Sequence, residues 1–461
     1  MQKLIAKYGL AAHLAILAVA PLFLFPFLRD PDLSTVMLWL SALVFTWVIL
    51  VPSVRSGEAL HDARSRVALA IVHDPLFWAS LLLIAFTGIR ALNGGIGLAY
   101  DAETSKWYVK TASLPFFPGS SGSSGYLPFA TSVAAAVLLQ GCRHAIGESA
   151  RMSFLLVSSA LAGAAALTAV MLLTFQGHAL LIEEASSLPK SHSSAGLAFG
   201  LYLMGGTIAT VALFERKWNL LVPLAFLSVG GGAAGVFVFS PAYVSLVLGV
   251  AEILLFVCAF THACRILEGS GKFKFMVIFG VSLVLGGLLV AMLLPQQAVE
   301  AKTAPFLTMT FLDDVFFDLR AAMSRIAFKS WIPHLWTGTG LDTFPLDFRF
   351  AAEEADLALV KGGVVAIANA WWLALVERGI VGFVFLLAPC GFLLATYVRR
   401  ALGGIRARTF PDATGFFGPL LLVSVALIGF VSCSPLRADA LLASGAFLAI
   451  SAKGFRGAKR S

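Results

Sequence analysis

Residues 274–294 read KFMVIFGVSLVLGGLLVAMLL, and the chain then turns polar with Pro295-Gln-Gln-Ala-Val-Glu300. After Lys274 the run carries no charge. At 1.5 Å per residue it is long enough to cross about 30 Å of hydrocarbon. Runs of the same kind recur at 8–28, 34–54, 75–92, 126–142, 152–175, 196–214, 218–239, 241–262, 379–398, 414–432 and 438–453. Backbone polar groups in lipid must be satisfied within the segment, so these runs predict helices. The expected fold is all-α and polytopic, with about twelve spans and one large outer segment between the ninth and the tenth.

Composition leads to the same class. Of 461 residues, 59% are hydrophobic and 13% charged, a balance with which a water-soluble globule could not cover its surface. The net charge of +8 therefore bears on orientation and anionic lipid rather than on nucleic acid. Cys142, Cys258, Cys264, Cys390 and Cys433 show no paired spacing, which predicts neither a disulfide framework nor a zinc site. The first run lacks a small-residue cleavage site and is expected to be a retained span.

Orientation follows from the basic residues. With both termini cytoplasmic, the short inner loops and tails collect most of the 33 Lys and Arg, among them Arg55, Arg64, Arg66, Arg143, Arg151, Arg399, Arg400, Arg406 and Arg408. The acidic residues lean the other way. Three parts result: 1–295 with nine spans, the polar segment 296–378, and 379–461 with three spans and a basic tail.

Two smaller outer loops are expected at 93–125 and 176–195. The first contains Gly94-Gly95 and Gly119-Ser-Ser-Gly-Ser-Ser-Gly125, a composition that predicts a mobile flap or spacer. The second carries His178, Glu183, Glu184, Lys190 and His192 and reads as a solvated loop. Glu252 lies within a span and serves either function or a structural hydrogen bond. His13, Arg90 and His262 lie near span ends, where snorkelling accounts for them.

The polar segment has its own pattern. Thr310 and Asp313 have the spacing of a capping box, and Phe311, Val315, Leu319, Ala322, Met323 and Ile326 recur at helical spacing up to Pro333. This predicts an amphipathic helix over 311–330 lying on the membrane, with Arg320 and Arg325 on its polar side. Gly338-Thr-Gly340 is a tight turn at which backbone can approach a ligand. A second short helix, roughly 364–377, is expected to run straight into the tenth span and to hold Asn369 and Glu377 against the same site.

The run Arg320…His334-Leu-Trp-Thr-Gly338-Thr-Gly340-Leu-Asp-Thr-Phe344 resembles the outer-loop signature of the O-antigen ligase and Wzy-type polymerase superfamily, an arginine followed by "H-P-L-x-G-x-G-x-x-x-F". Asn369-Ala-Trp-Trp-Leu-Ala-Leu-Val-Glu377-Arg-Gly379-Ile-Val-Gly382 is similar to its "H-N-x-x-L…E-x-G-x-x-G". The resemblance implies a glycosyltransferase of the bacterial inner membrane, acting on its periplasmic face without a metal or other cofactor. Its partners would be a lipid-linked oligosaccharide donor on undecaprenyl diphosphate, a glycan or lipid A-core acceptor, and membrane lipids. Two departures stand out: Ala368 occupies the place of the family's catalytic histidine, and Ser240-Pro241-Ala242 replaces an "S-R-G" arginine.

On this reading Arg320, Glu377 and His334 are the catalytic candidates, and Arg325, Gly338, Gly340 and Asn369 bind substrate. The arginines would hold the phosphates through their forked donors. The base would be His334, Glu377, His178 or His192. Asp313-Asp314 suits a divalent ion less well than it suits the dipole of a helix N-terminus. Three alternatives remain: a catalytically inactive member, a transferase of another multispan fold using Arg29-Asp-Pro-Asp32, and a transporter. For the transporter, Gly230-Gly-Gly232 and Pro241 suggest a broken helix.

Overall fold

A computed structural model describes residues 2–24, 30–101, 103–104, 106–110, 119–121, 125–175, 192–215, 221–266, 269–293, 318–352, 369–406, 413–432 and 438–453, with positions 296, 299, 300, 303, 304, 308 and 436. His178, Thr310, Asp313, Asp314 and Ala368 lie outside them, as does most of 297–317.

The chain is a multi-pass membrane protein, nearly all-α. Seven of the described helices are long and apolar enough to cross a bilayer: Pro75–Leu92, Glu148–Leu172, Ala195–Phe214, Val222–Phe239, Ala242–Cys264, Ser270–Leu293 and Ala370–Arg399. Shorter apolar stretches are Tyr8–Leu24, Leu38–Leu50, Phe417–Phe430 and Leu441–Ile450. In order, the helices that matter here are α1 (Gln2–Leu24), α2 (Asp30–Leu50), α3 (Leu60–Val72), α4 (Pro75–Leu92), α5 (Tyr126–Gln140), α6 (Glu148–Phe175), α7 (His192–Glu215), α8 (Val222–Phe239), α9 (Ala242–Ile266) and α10 (Ser270–Leu293). They are followed by α11 (Asp318–Trp331), α12 (Phe344–Ala351), α13 (Ala370–Arg406), α14 (Ala413–Val431) and α15 (Ala438–Lys453).

The core lies where α6, α7 and α8 meet. Apolar attraction between helices is weak in lipid, so small residues that admit close backbone contact set the crossings. A Cβ on Gly231 of α8 would come 2.5 Å from Gly163 Cα of α6, and one on Gly230 would come 2.7 Å from the Ser282 carbonyl of α10. Gly230-Gly-Gly232 is therefore a packing surface on an unbroken helix. α8 ends only at Ser240, just before Pro241. The glycines thus give no support to a broken transporter helix. Leu254, Phe273, Met292, Trp39 and Leu43 remain exposed on the outer surface, where lipid would cover them.

Glu252 on α9 is buried and accepts a hydrogen bond from the Thr207 hydroxyl of α7. Of its two expected roles, the structure displays this interhelical hydrogen bond.

The expectation of an all-α chain needs correction at 93–125. Strands β1 (Gly94–Asp101), β2 (Lys106–Lys110) and β3 (Ser120–Ser121) form a three-stranded sheet in the order β2-β1-β3, with β1 antiparallel to β2 and parallel to β3. The composition of 93–125 offers little apolar surface to bury, which is why a mobile flap or spacer is expected there. The order of this loop comes instead from main-chain hydrogen bonds, which composition does not reveal.

One helix connects two polar clusters. At the start of α4, Asp74 caps the helix by accepting from Leu76 N at 3.1 Å, with Pro75 at the first position. The same carboxylate meets Arg143 Nε and His144 Nε2, each at 2.7 Å, in the π-helical turn Gly141–Ala145 that follows α5. Burial opposes the charge on Asp74, but the His144 hydrogen bond and the Arg143 guanidinium outweigh it and hold the carboxyl below its ordinary value. Toward the other end of α4, about 24 Å away by helical rise, lies Arg90.

Candidate functional site

Pro333 stops α11, and the chain passes through a short 3-10 turn, Ile332–His334, into the glycine turn. Three positive φ angles follow: 72° at Gly338, 131° at Gly340 and 58° at Asp342. An aspartate tolerates this region because its short polar side chain can bond locally.

The turn completes a helix that is interrupted elsewhere in the chain. Within α13, Gly379 adopts φ 64° and ψ −175°, which interrupts the i→i−4 ladder. The N–H groups of Ile380 and Val381 are turned away from the carbonyls of Val376 and Glu377. They donate instead to Leu335 O at 3.0 Å and Trp336 O at 3.1 Å. The freed carbonyls accept from the turn: Thr339 N reaches Val376 O at 2.8 Å, and Gly340 N reaches Glu377 O at 3.1 Å. Such contact requires glycine on both sides. A Cβ on Gly338 would come 2.6 Å from Arg378 N, and one on Gly379 would come 2.5 Å from the Trp336 carbonyl carbon.

Two further elements hold the turn. Leu341 N donates to Gly119 O and Ser121 N to Leu341 O, both at 3.0 Å, so β3 lies alongside the turn. From α4, Arg90 Nη1 donates to Glu377 O at 2.6 Å and Nη2 to Thr337 O, with the guanidinium 4.2 Å from the centre of the Phe86 ring. Arg90 is only 2% exposed. The snorkelling expected of it is therefore wrong: bound to two carbonyls and an aromatic face, it points into the protein rather than toward water.

Glu377 is buried beside this clamp. Its carboxyl meets the backbone N–H of Asp342 and lies in the field of Arg378, with the Asp342 and Asp347 carboxyls nearby. Thr339 and Thr343 share a hydroxyl–hydroxyl bond of 2.8 Å, and Thr343 Oγ1 donates to Asp347 Oδ2 at 3.3 Å. Burial pushes the Asp347 carboxyl above its ordinary value, against the hydrogen bonds of Thr339 and Thr343 and the pull of His334. Beneath these groups Met323, Ile326, Ala327, Phe344, Phe348 and Val376 form a small apolar cluster joining α11, α12 and the start of α13.

The other expected site residues are placed as follows. His334 is exposed at the end of α11. Arg325 lies on the exposed side of α11. Arg320 lies in the first described turn of that helix, which is described from Asp318; residues 311–317 of the expected helix and the Arg320 side chain lie outside the described positions. Asn369 does not face the turn with its carbonyl: Oδ1 caps α13, accepting from Trp371 N at 2.9 Å and Trp372 N at 3.1 Å. The short helix expected over 364–377 is described from Ala370, and Gly379 breaks its run into the next span. Gly338 and Gly340 lie against the Glu377–Gly379 backbone, so their close approach is to protein main chain.

Sequence reading missed Arg90, Arg378, Asp342 and Asp347. Arg378 fills the unspecified position of Glu377-x-Gly379, where an arginine next to apolar residues at the head of a span is itself a signal of a site. No family model matches the chain, and no curated protein matches it.

Proposed function

We propose that this protein is a metal-independent membrane glycosyltransferase that polymerises or ligates glycans carried on undecaprenyl diphosphate. The supporting observation is Glu377: a buried carboxyl where α13 opens, flanked by Arg90 and Arg378, at the boundary between an apolar bundle and a polar turn. In the proposed reaction an acceptor hydroxyl forms a new C–O bond at the anomeric carbon as the bond to the lipid diphosphate breaks. Glu377 takes the hydroxyl proton, with His334 as the alternative base. Arg320 and Arg325 are assigned to charge stabilisation of the departing diphosphate, and the Gly338–Gly340 turn to the wall of the site. Asn369 would act through its amide N–H groups, since its oxygen caps α13.

The proposed topology has about twelve spans, both termini cytoplasmic and 296–378 in the periplasm of a bacterial inner membrane. A reporter active only outside the cytoplasm should then work when fused near Leu346 and stay silent near Gly404. The reverse pattern would remove the site from the outer face.

The function itself is tested by Glu377→Gln in cells, read by mass analysis of lipid-linked glycans. Loss of a general base typically costs about 10²- to 10⁴-fold, so single repeats should accumulate for a polymerase and finished chains for a ligase, with protein at normal membrane levels. A Glu377→Gln protein that still supports wild-type glycan alongside an active His334→Ala would rule out side-chain base catalysis here.

A further inference from the structure

The guanidinium of Arg378 is not used by the clamp or by the turn. The residue is 6% exposed, and its Nε, fully enclosed, has no hydrogen-bond partner. Its stem packs at the α4–α13 contact, where a Cβ on Gly382 would come 2.5 Å from Phe86 Cζ and 2.6 Å from Arg378 Cβ. Three buried ionisable side chains meet here. Arg90 gives its donors to the carbonyls of Glu377 and Thr337, and the Glu377 carboxyl takes the N–H of Asp342. The two cations face one buried acid, with the Asp342 and Asp347 carboxyls near Glu377, and no ion pair within 4 Å joins the three among the described residues. A buried donor without a partner normally costs free energy, and at an arginine the cost is higher because the group is charged.

We infer that Arg378 is an oxyanion-binding residue that takes a phosphate group at the junction of α4 and α13. The arginine fork matches two phosphate oxygens at once. The neighbouring Arg90 charge favours an anion over a neutral ligand. Arg378 stands in the first third of the apolar stretch Ala370–Arg399, and the phosphate it takes is carried on a lipid or is free, which the probes below distinguish. The inference does not depend on glycan transfer, because it concerns binding alone.

The test uses the full-length protein in nonionic detergent with three probes: dodecyl phosphate, inorganic phosphate and dodecanol. Affinity is read by titration calorimetry, and thermal unfolding by tryptophan fluorescence. Dodecyl phosphate should bind and raise the unfolding temperature, dodecanol should not, and Arg378→Gln should weaken binding by about 10- to 100-fold. Tighter binding of dodecyl phosphate than of inorganic phosphate identifies a lipid-borne ligand, while equal affinities identify a free one. Without probe, Arg378→Gln should unfold at the wild-type temperature or above, since it removes a buried cation lacking a hydrogen bond. A merely structural arginine would lower it. If Arg378→Gln fails to accumulate, Arg378→Lys replaces it, and the loss of the fork should still weaken binding. Affinity unchanged in the variant, or neither phosphate binding better than dodecanol, overturns the inference. Glycan transfer is not read, so this test bears on the phosphate site alone, and the proposed function stands or falls separately on the glycan analysis of Glu377→Gln.

Discussion

Gly379→Ala is expected to cost more stability than any other single methyl group added to α13. Its φ of 64° with ψ near 180° is a combination that only glycine adopts readily, worth about 1–3 kcal/mol of strain for another residue. The added Cβ would also overlap the Trp336 carbonyl and the Gly338 amide, which are backbone atoms held by hydrogen bonds and unable to rotate away. Overpacking of that kind adds about 1–3 kcal/mol. The internal control is Gly391→Ala in the same helix, where nothing lies within 4 Å of the new methyl group. Thermal unfolding of the purified protein should show a large loss for the first and none for the second. Equal unfolding temperatures would mean that the bend is not what the glycine is there for.

Arg90→Leu should give the second largest loss. The guanidinium bridges Thr337 O and Glu377 O, and a hydrogen bond from a charged donor contributes about 1.5–3 kcal/mol. Leucine leaves the Thr337 carbonyl without that donor in a partly buried place, whereas Glu377 O keeps Gly340 N. Arg90→Lys should fall between, because one ammonium cannot span both carbonyls in the same geometry. Limited proteolysis around residue 340, compared with thermal unfolding, checks the cause: the turn should become cleavable in Arg90→Leu. A leucine variant as stable as wild type, with a protected turn, would show that the cation is not a clamp.

The helices were legible in the sequence because a bilayer demands long apolar runs, and composition reports those directly. Gly338, Gly340 and Glu377 were legible as a group because turn chemistry and an acid beside a span are local signals. What joins them was not. Arg90 and Glu377 lie in different parts of the chain, and nothing in the local pattern around Arg90 distinguishes a residue that snorkels from one that clamps. The sheet stayed hidden for a related reason: Gly94–Asp101 and Ser120–Ser121 are ordered by main-chain partners, and the main chain is the same in every sequence. Asn369, expected at the ligand, also stands where a cap would stand ahead of an apolar helix, and that is the role its oxygen takes.

The exchange of hydrogen bonds at Gly379 has a consequence for how the chain is made. Helices in a membrane are commonly pictured as inserting one at a time, each judged on its own hydropathy. The 370–406 helix does not satisfy that picture, since two of its N–H groups and two of its carbonyls find partners outside the helix, in residues 335–340 and, for Glu377 O, also in Arg90. Left alone in lipid, those four groups would be unpaired at several kcal/mol each. The ribosome delivers the turn first, so the turn must wait near the bilayer surface for the helix to arrive. Maturation of this span is therefore a tertiary event, and a change in the turn would appear first as a defect in biogenesis.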